Sequence, residues 1–485
     1  MRVLITSSEI VPFAKTGGLA DVCGALAKAL SRLGVEVSLA LPLYRCVSAG
    51  DFKTELIFES LFIELGHQRF TADIYKGHLT ENIDVFFVKR DEFYNRSYLY
   101  ATPKGDYFDN AERFVFFSKV IIGLSKALNI KWDIIHCNDW QTAIIPVLLK
   151  AVYAEDPLFK DIKTVLSIHN LGYQGIFPAD SFFLTGLPPH LFSIDGLEFW
   201  GKVNLLKGGI IFSDWITTVS PTYAKEIQTK EFGFGLDGVI GANTHKLSGI
   251  LNGADYSEWS PETDPYILSR YSKKHLLGKT KCKEGILKEF DLSSKLMERP
   301  LIGMVTRLAT QKGIDLLADA IDDIMAKGAG LVILGKGEER YEELLEALAS
   351  RYKGKIGVKI AFDSIFAHKI EAGSDMFLIP SFYEPCGLNQ MYSLKYGTLP
   401  VVYNTGGLAD TVVEVDENKG EGTGFKFYDY SKDGLCKAID KAIRCFSNKK
   451  LWQKLIIQAM SCDFSWSEAA KEYLNVYQRL LSSKS

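Results

Sequence analysis

Two basic residues follow a strand-like apolar run in the second half of the chain. The run PLIGMVTR ends at Arg307, and Lys312 comes just before a helical pattern that begins near Gly313. A guanidinium group can hold two oxygen atoms of one anion, and a helix N-terminus favours negative charge. Open α/β sheets bind ligands at the carboxyl ends of their parallel strands. Single surface cations are ordinary, but this placement favours a diphosphate site.

A six-residue sequence, TGGLAD, occurs twice, at residues 16–21 and 405–410. Each copy follows a predicted strand and its loop. Glycines are common in strand-to-helix turns, so a single copy would carry little information. Two identical copies in equivalent contexts favour a shared role, in which each half of the chain presents glycine-lined backbone to one ligand.

Glu384 lies in the segment IPSFYEPCGLNQ, residues 379–390. A predicted strand runs into a loop that contains Pro385 and Gly387, and a helix follows. Taken alone, Glu384 is a helix-start charge worth about 0.3–1 kcal/mol. Cys386 fits equally well as a small buried apolar residue. The residues by themselves leave both interpretations open.

Several common cofactor motifs are interrupted in this sequence. Arg340 occupies the third glycine position of a dinucleotide fingerprint that would begin at Gly335. Residues 330–337 have the spacing of a P-loop but lack the hydroxyl residue that would bind magnesium. The sequence contains neither Asp-x-Asp nor His-Glu-x-x-His. These patterns weigh against a dehydrogenase, a P-loop NTPase and a metal site, so we expect protein cations and backbone amides to bind any phosphate.

Short apolar runs alternate with helical patterns along both halves of the chain. The runs RVLITS, VEVSLALPL, DIIHCN, TVLSIH and WITTVS are strand-like in the first half, and PLIGMVTR, LVILGKG, IGVKIAF, DMFLIPS and LPVVYN in the second. The segment NGADYSEWSPETDP between the two series is rich in turn formers. We predict two doubly wound α/β domains that meet near residue 252, with parallel strands covered by helices on both faces.

The composition is that of an ordinary globular protein. The chain has 485 residues, of which 47% are hydrophobic and 24% are charged, and its formal net charge is −3. A charge this small weighs against nucleic acid or an anionic membrane as partner. The eight cysteines include no Cys-x-x-Cys pair, and no apolar run approaches the about 20 residues that a membrane span needs. We therefore expect a cytoplasmic protein with reduced thiols.

Together these motifs resemble those of bacterial glycogen synthases and plant starch synthases. The resemblance extends over nearly the whole chain, with the motifs in the same order. The segments that carry it are KTGGLADV at 15–22, HN and YQG at 169–175, Arg307 with QKG at 311–313, EPCGL at 384–388 and TGGL at 405–408.

The resemblance implies a GT-B fold, in which two Rossmann-like domains face a deep cleft. Residues 1–252 would form the acceptor-side domain, residues 253–455 the nucleotide-sugar domain, and residues 456–485 a helical segment that crosses back to the first. The implied reaction transfers glucose from ADP-glucose to the nonreducing end of an α-1,4-glucan, glycogen or a malto-oligosaccharide, with retention of configuration. Neither a cofactor nor a metal is implied. A plant source would place the protein in a plastid, with the transit peptide absent here.

The resemblance also implies roles for individual residues. Lys15 and Gly18 would lie near the diphosphate and the glucose, and Glu384 would hold the glucose hydroxyls. The remaining contacts on the second domain would come from Arg307, Lys312, Thr405 and Gly406 around the diphosphate, and from Cys386, Gly387 and Leu388 in the glucose pocket. The catalytic group would be His169, Glu384, Lys15, Arg307 and Lys312.

Four residues of the first half have shorter motifs. By the resemblance His169, Asp139 and Asn252 would surround the sugar near its 6-hydroxyl, and Tyr98 would be an active-site aromatic. Each also fits an ordinary structural role. His169 fits a hydrogen-bonded histidine after a strand, and Asp139 fits a helix N-cap. Asn252 fits a turn before Gly253, and Tyr98 is one of 22 tyrosines. Two other functions remain open, a UDP-glucose-dependent glucan synthase of the same fold and a glucan-binding relative without catalysis.

Overall fold

The computed structural model describes residues 1–102 and 104–482. These residues divide into two compact units, one formed by residues 1–253 with the chain from Trp466 onward, the other by residues 254–465. The polypeptide therefore leaves the first unit, builds the second and returns. Within the described ranges, no helix is long and apolar enough to cross a lipid bilayer.

The first unit is built on a mainly parallel sheet with the strand order β14-β13-β9-β8-β1-β2-β5-β4-β3. The central strands are continuous apolar runs buried on both faces, as parallel sheets covered by helices require. The strands of this unit are β1 (Arg2–Thr6), β2 (Glu36–Pro42), β3 (Glu55–Leu65), β4 (Gln68–Thr80), β5 (Ile83–Lys89), β6 (Ala101–Thr102), β7 (Gly105–Asp106), β8 (Ile134–Asn138), β9 (Lys163–Ile168), β10 (Ile176–Pro178), β11 (Glu198–Phe199), β12 (Lys202–Asn204), β13 (Trp215–Thr218) and β14 (Leu247–Gly249).

Three features of this unit depart from a simple doubly wound sheet. Strands β3 and β4 form a long antiparallel hairpin that pairs with β5 and extends the sheet. Strands β10, β12 and β11 form a separate small antiparallel sheet, and β6 pairs with β7.

The helices of the first unit are α1 (Gly18–Arg32), α2 (Arg45–Ser48), α3 (Asp91–Tyr94), α4 (Asn110–Ala127), α5 (Ile144–Ala151), α6 (Phe182–Thr185), α7 (Leu205–Phe212), α8 (Pro221–Glu226) and α9 (Asp237–Ala242).

The second unit is built on a parallel sheet with the order β17-β16-β15-β18-β19-β20. Its strands are β15 (Leu301–Leu308), β16 (Gly330–Gly337), β17 (Ile356–Ile360), β18 (Met376–Ile379), β19 (Leu399–Tyr403) and β20 (Phe425–Phe427). Its helices are α10 (Leu277–Glu289), α11 (Ile314–Ala326), α12 (Glu339–Arg351), α13 (Ser364–Gly373), α14 (Asn389–Lys395), α15 (Gly406–Thr411), α16 (Lys432–Ser447) and α17 (Lys449–Ala459).

Helix α18 (Trp466–Ser482) completes the first unit from the far end of the chain. It contacts α1, and the Tyr477 hydroxyl lies 2.7 Å from Nδ1 of the buried His136 on β8. Helix α17 runs through the predicted domain limit at residue 455, and its Trp452 and Leu455 belong to the core of the second unit. The return to the first unit therefore comes at Trp466.

Each sheet reverses its strand order at one place, and this determines where a ligand can be held. The reversal lies between β1 and β8 in the first unit and between β15 and β18 in the second. In doubly wound sheets the loops beyond the carboxyl ends of such neighbouring strands diverge and leave a crevice. The segments that follow these four strands contain most of the residues singled out in the sequence.

Candidate functional site

In the first unit, a buried carboxylate holds the loop that carries the first TGGLAD copy. Glu9, just after β1, accepts hydrogen bonds from the Thr16 backbone N–H, the Thr16 hydroxyl at 2.9 Å and the Gly17 N–H at 3.2 Å. The hydroxyl of Tyr100 donates to the same carboxylate at 2.8 Å. Burial raises the pKa of Glu9, and the hydrogen bonds from Thr16 and Tyr100 oppose this shift. Glu9 thus positions the turn that leads into α1.

The turn leaves open space beside its glycines. A Cβ atom built on Gly17 or Gly18 would meet nothing within 4 Å among the described residues. Gly18 is the first residue of α1, so its N–H belongs to the unpaired donors of a helix N-terminus. Lys15 lies nearby, where its ammonium group pairs with Asp21 at 2.7 Å and its side chain is 45% exposed. Backbone donors and a half-exposed cation together suit an anion.

A second group in this unit follows β8 and β9. Asp139 has a φ angle of +54°, which is uncommon for a residue other than glycine and costs conformational energy. Its carboxylate accepts a 2.7 Å hydrogen bond from the His169 backbone N–H. Burial raises the pKa of Asp139 to about 7 against the effect of that hydrogen bond. A strained, buried carboxyl that titrates near neutrality is typical of a functional position.

The imidazole of His169 is held as a neutral ring. Its Nε2 lies 2.9 Å from Oδ1 of Asn138. The Nδ2 group of Asn138 donates to the Thr6 carbonyl oxygen at 3.0 Å, so the Asn138 Oδ1 is the acceptor and Nε2 of His169 carries the proton. Burial lowers the pKa of His169 to about 4. At neutral pH the ring therefore donates through Nε2 and keeps Nδ1 as an acceptor.

Asn252 and Tyr98 differ in how well their surroundings fit a site. Asn252 is 6% exposed, and its Oδ1 has no hydrogen-bond partner among the described residues. A buried acceptor of this kind needs a partner, which a ligand could supply. Tyr98 is 49% exposed, whereas Tyr100, two residues later, is the tyrosine that reaches Glu9. Tyr98 was singled out in the sequence, whereas Glu9 and Tyr100 were missed.

In the second unit, Lys312 and Glu384 form a close ion pair. Lys312 ends a short turn after β15, and its Nζ lies 2.6 Å from Oε2 of Glu384 in the segment after β18. The two side chains are 18% and 13% exposed, and the Ser381 hydroxyl donates to the same carboxylate oxygen at 3.0 Å. Partial burial strengthens such a pair relative to a surface pair. The structure thus joins two residues that the sequence identified separately.

The loops that carry this pair are bound to each other through their backbones. The Phe382 N–H donates to the Gln311 carbonyl oxygen at 2.9 Å, and the Gln311 side-chain amide donates to the Tyr383 carbonyl oxygen at 2.8 Å. Gly313 has a φ angle of +71°, and a Cβ atom there would collide with the Pro380 carbonyl oxygen. Arg307 lies on the exposed part of β15 near its carboxyl end.

The second TGGLAD copy packs against the Glu384 segment. Gly406 has a φ angle of +43°, and a Cβ atom there would collide with the Glu384 carbonyl oxygen. The Gly407 N–H donates to the carbonyl oxygens of Glu384 and Pro385, each at 3.1 Å. Thr405 is buried at the start of α15. The two glycines here serve close backbone packing, unlike Gly17 and Gly18.

The remaining residues of the Glu384 segment lead from that carboxylate into α14. Cys386 is buried, Gly387 has a φ angle of +70° and Leu388 is the N-cap of α14. A cavity of about 320 Å³ lies beside these loops. Its lining includes Thr310, Gln311, Gly313, Phe382, Tyr383 and Tyr430.

A further aromatic residue at the carboxyl edge of the second sheet was missed in the sequence. Phe362 follows β17 by two residues, and its side chain is 84% exposed. An exposed ring at this edge can stack on a flat ligand. The signal in the sequence is the aromatic residue that ends the apolar run IGVKIAF. Within residues 1–102 and 104–482, no group of three or more His, Cys, Asp or Glu side chains could hold a metal ion.

Comparison with known proteins agrees with the resemblance seen in the motifs. The family model described as starch synthase catalytic domain matches residues 2–242, and the model described as glycosyl transferases group 1 matches residues 288–459. The chain is 48% identical to a glycogen synthase of Koribacter versatilis over 479 residues, covering 99% of this chain and 98% of the relative. It is 45% identical to a glycogen synthase of Thermotoga maritima, with 99% of each chain covered.

Solved structures agree with the two-domain fold. The catalytic domain of starch synthase IV from Arabidopsis thaliana superimposes with a TM-score of 0.91 at 34% identity and covers 99% of both chains. A sucrose-phosphate synthase from Thermosynechococcus elongatus has a TM-score of 0.62 at 15% identity over both full chains, which shows a common fold. The predicted α/β architecture with two Rossmann-like domains of the GT-B type is confirmed. The chain belongs to the glycogen synthase and starch synthase family of glycosyltransferases.

Proposed function

We propose that this glycosyltransferase moves glucose from ADP-glucose to the nonreducing end of an α-1,4-glucan, with retention of configuration. The starch synthase IV structure that resembles this chain was solved with ADP and acarbose bound, which supports ADP as the nucleotide of the donor. We assign the catalytic group as Lys15, His169, Arg307, Lys312 and Glu384. Gly18, Asp139, Asn252, Thr405 and Gly406 would contribute to binding of the donor.

One observation carries this proposal, the ion pair of Lys312 and Glu384. The pair lies beside β15 and β18, where the strand order reverses, and the two loops are tied by backbone hydrogen bonds. A partly buried ammonium group held by a carboxylate is preorganised for a phosphate oxygen, since it needs little rearrangement when charge develops. Oε1 of Glu384 is an acceptor suited to a sugar hydroxyl, whereas Oε2 already accepts from Lys312 and Ser381.

The chemistry that this arrangement supports is stabilisation of a leaving group. As the bond between the anomeric carbon and the diphosphate lengthens, the sugar gains oxocarbenium character and the diphosphate gains negative charge. Arg307 and Lys312 would stabilise that charge, and the N-terminus of α1 with Lys15 would add to it. Loss of one preorganised donor in comparable sites costs about 2.7–4 kcal/mol, or about 10²–10³ in kcat.

Retention would follow if the acceptor attacks the face from which the diphosphate departs. In that pathway the departing phosphate oxygen takes the proton of the acceptor hydroxyl, and a new glycosidic bond forms as the bond to phosphate breaks. Neutral His169 would accept a hydrogen bond from a sugar hydroxyl through Nδ1, because its Nε2 already donates to Asn138. A trapped covalent glycosyl-enzyme on an aspartate or glutamate would overturn this pathway.

The exposed ring of Phe362 supports an adenine donor. It lies at the same carboxyl edge of the second sheet as Lys312, where the base of a bound nucleotide could stack on it. A purine offers a larger flat surface than uracil, and stacking of a base on an aromatic side chain is worth about 1–3 kcal/mol. Phe362→Ala should therefore raise KM for ADP-glucose about tenfold or more while leaving kcat with saturating donor near that of the unmodified protein.

The proposal is tested by offering radiolabelled ADP-glucose and UDP-glucose separately with glycogen, with and without a chelator. We expect incorporation from ADP-glucose in both conditions, loss of about 10²–10³ in kcat for Lys15→Ala and Glu384→Ala, and normal activity for the exposed control Lys281→Ala. The anomeric proton of the new linkage, read by NMR, should show the α configuration. Preferred use of UDP-glucose, loss of activity with the chelator or a β linkage would each contradict the proposal.

A further inference from the structure

The imidazole of His169 is oriented by Asn138, a residue that the sequence motifs did not indicate. Asn138 is the last residue of β8, and its Oδ1 lies 2.9 Å from Nε2 of His169, which directly follows β9. Strands β8 and β9 are parallel neighbours, and Asn138 pairs with Ser167 in their register. The contact therefore joins the carboxyl ends of two adjacent strands, the edge at which doubly wound sheets bind ligands.

The side chain of Asn138 is held in one orientation. It is 1% exposed, and its Nδ2 donates to the Thr6 carbonyl oxygen on β1 at 3.0 Å. The Asn138 backbone N–H donates to the Thr142 hydroxyl at 2.7 Å, and that hydroxyl donates to the Asn138 carbonyl oxygen at 2.9 Å. A flipped amide would place Oδ1 against the Thr6 carbonyl oxygen, where two acceptors repel each other. The amide oxygen therefore faces His169.

This orientation determines what the imidazole can offer a ligand. An amide oxygen only accepts hydrogen bonds, so Nε2 of His169 carries the proton and Nδ1 is an acceptor. Burial lowers the pKa of His169 to about 4, so the ring is neutral at neutral pH. The titratable groups beside it include the Asp139 carboxylate, which accepts from the His169 backbone N–H, and His136, whose pKa burial lowers to about 3. The ring thus offers a ligand an acceptor and no second N–H.

We propose that Asn138 is a positioning residue for the transfer reaction, because it fixes the proton of His169 on Nε2 and leaves Nδ1 to accept from a sugar hydroxyl. This inference rests on the proposed function, which places His169 beside the sugar. A hydroxyl that donates to His169 keeps its own oxygen free to accept from another group. A protonated ring would instead bring positive charge towards a sugar that gains oxocarbenium character, which is unfavourable in a site shielded from water.

Two substitutions of Asn138 separate this role from a structural one. Asn138→Asp keeps an oxygen beside Nε2 but adds negative charge, which should raise the pKa of His169 from about 4 to between about 5 and about 7. Asn138→Leu has a similar volume but removes the acceptor, so Nε2 loses its partner. Asn448→Asp is the control, because it adds the same charge at the N-cap of α17, where Asn and Asp cap a helix equally well.

The first measurement uses the full chain without substrate. NMR of protein labelled with ¹⁵N in histidine reports which ring nitrogen carries the proton, and the His169 signals are those missing from His169→Gln. We expect the unmodified protein and Asn448→Asp to keep a neutral ring with the proton on Nε2 from about pH 6 to about pH 8. The ring should titrate in Asn138→Asp, and in Asn138→Leu both nitrogens should share the proton. A proton on Nδ1 in the unmodified protein would overturn the inference, whether or not the variants fold.

The second measurement follows kcat against pH with glycogen and saturating ADP-glucose. Dividing the kcat of each variant by that of the unmodified protein removes the effect of groups common to both, such as Asp139. The ratio for Asn138→Asp should be about one tenth near pH 5.5, the scale of one lost hydrogen bond, and should rise towards one by about pH 8 as His169 becomes neutral. The ratio for Asn138→Leu should remain low by about three- to tenfold at every pH.

The outcomes separate this inference from the proposed function. Equal and pH-independent losses of kcat in Asn138→Asp and Asn138→Leu would indicate a purely structural role for Asn138 and would contradict the inference. If the unmodified protein transferred no glucose to glycogen, the proposed function would fail. A proton held on Nε2 of His169, and released from it in Asn138→Leu, would even then support the role of Asn138 in orienting the ring.

Discussion

At the scale of residues, protonation of Asp139 should determine the pH below which activity declines. Burial raises the pKa of its carboxyl to about 7, so the group is protonated in acid and charged in base. The charged form accepts a hydrogen bond from the His169 N–H and, in the proposed site, would accept one from a sugar hydroxyl. We expect kcat/KM to fall as the pH drops from about 8 to about 6 and this decline to be absent in Asp139→Asn, as measured in a pH profile. An identical decline in both proteins would assign it to another group.

The raised pKa of Asp139 also predicts that stability falls as the pH rises, whereas activity is expected to increase. Because the folded-state pKa of Asp139 lies above its ordinary value, the folded protein holds this proton more tightly than the unfolded chain. The resulting stabilisation is present below about pH 4 and is lost as the pH rises through about 7. Asp139→Asn should therefore gain in Tm relative to the unmodified protein between about pH 5 and about pH 8. A Tm difference that is independent of pH would contradict the assignment.

Contacts between distant residues account for the part of the site that was missed in the sequence. Lys312 and Glu384 were each named from their motifs, yet their pairing spans 72 residues and depends on the order of β15 and β18. Glu9 and Tyr100 are 91 residues apart, and neither lies in a motif that marks it as a partner of the other. Residue types and local spacing identify a motif, but the fold determines which distant residues contact it.

At the scale of elements, the two copies of one hexapeptide perform different packing roles. Gly406→Ala should push the Glu384 segment away, because a Cβ there collides with the Glu384 carbonyl oxygen. We expect this variant to lose both Tm and kcat. Gly18→Ala meets open space, so its Tm should be unchanged while KM for ADP-glucose rises. Gly241→Ala in α9 also meets open space and is the control, with normal kinetics. Equal losses of Tm in both copies would contradict this distinction.

The elements that were predicted share a clear pattern. The runs RVLITS, DIIHCN and LVILGKG became β1, β8 and β16, since strands buried on both faces are continuous apolar segments. The hairpin of β3 and β4 was missed because its residues are largely half-exposed and interrupt the alternation. Strands of two residues, such as β11, are too short for any periodicity.

At the scale of the whole molecule, the first unit is completed by a helix that the chain supplies last. The Tyr477 hydroxyl of α18 bonds the buried His136 of β8, whereas the Tyr396 hydroxyl bonds the buried Asp264 within the second unit. Removing the Tyr477 hydroxyl leaves Nδ1 of His136 without that bond, which costs about 1–3 kcal/mol. Without the Tyr396 hydroxyl, Asp264 keeps its 2.8 Å contact with Nδ1 of His368, so the loss should be smaller. Each loss should act on the unit that contains the bond, because the two units have separate cores.

Hydrogen exchange read by mass spectrometry checks this division directly. In Tyr477→Phe we expect faster exchange in α1, β8 and α18, with β15 and β16 unchanged. In Tyr396→Phe the reverse is expected, since Tyr396 packs in the core of the second unit. The two variants serve as controls for each other, as each removes one buried hydroxyl of equal size. If either variant accelerated exchange equally in both sheets, the units would share one cooperative opening, and α18 could not be treated as a part of the first unit alone.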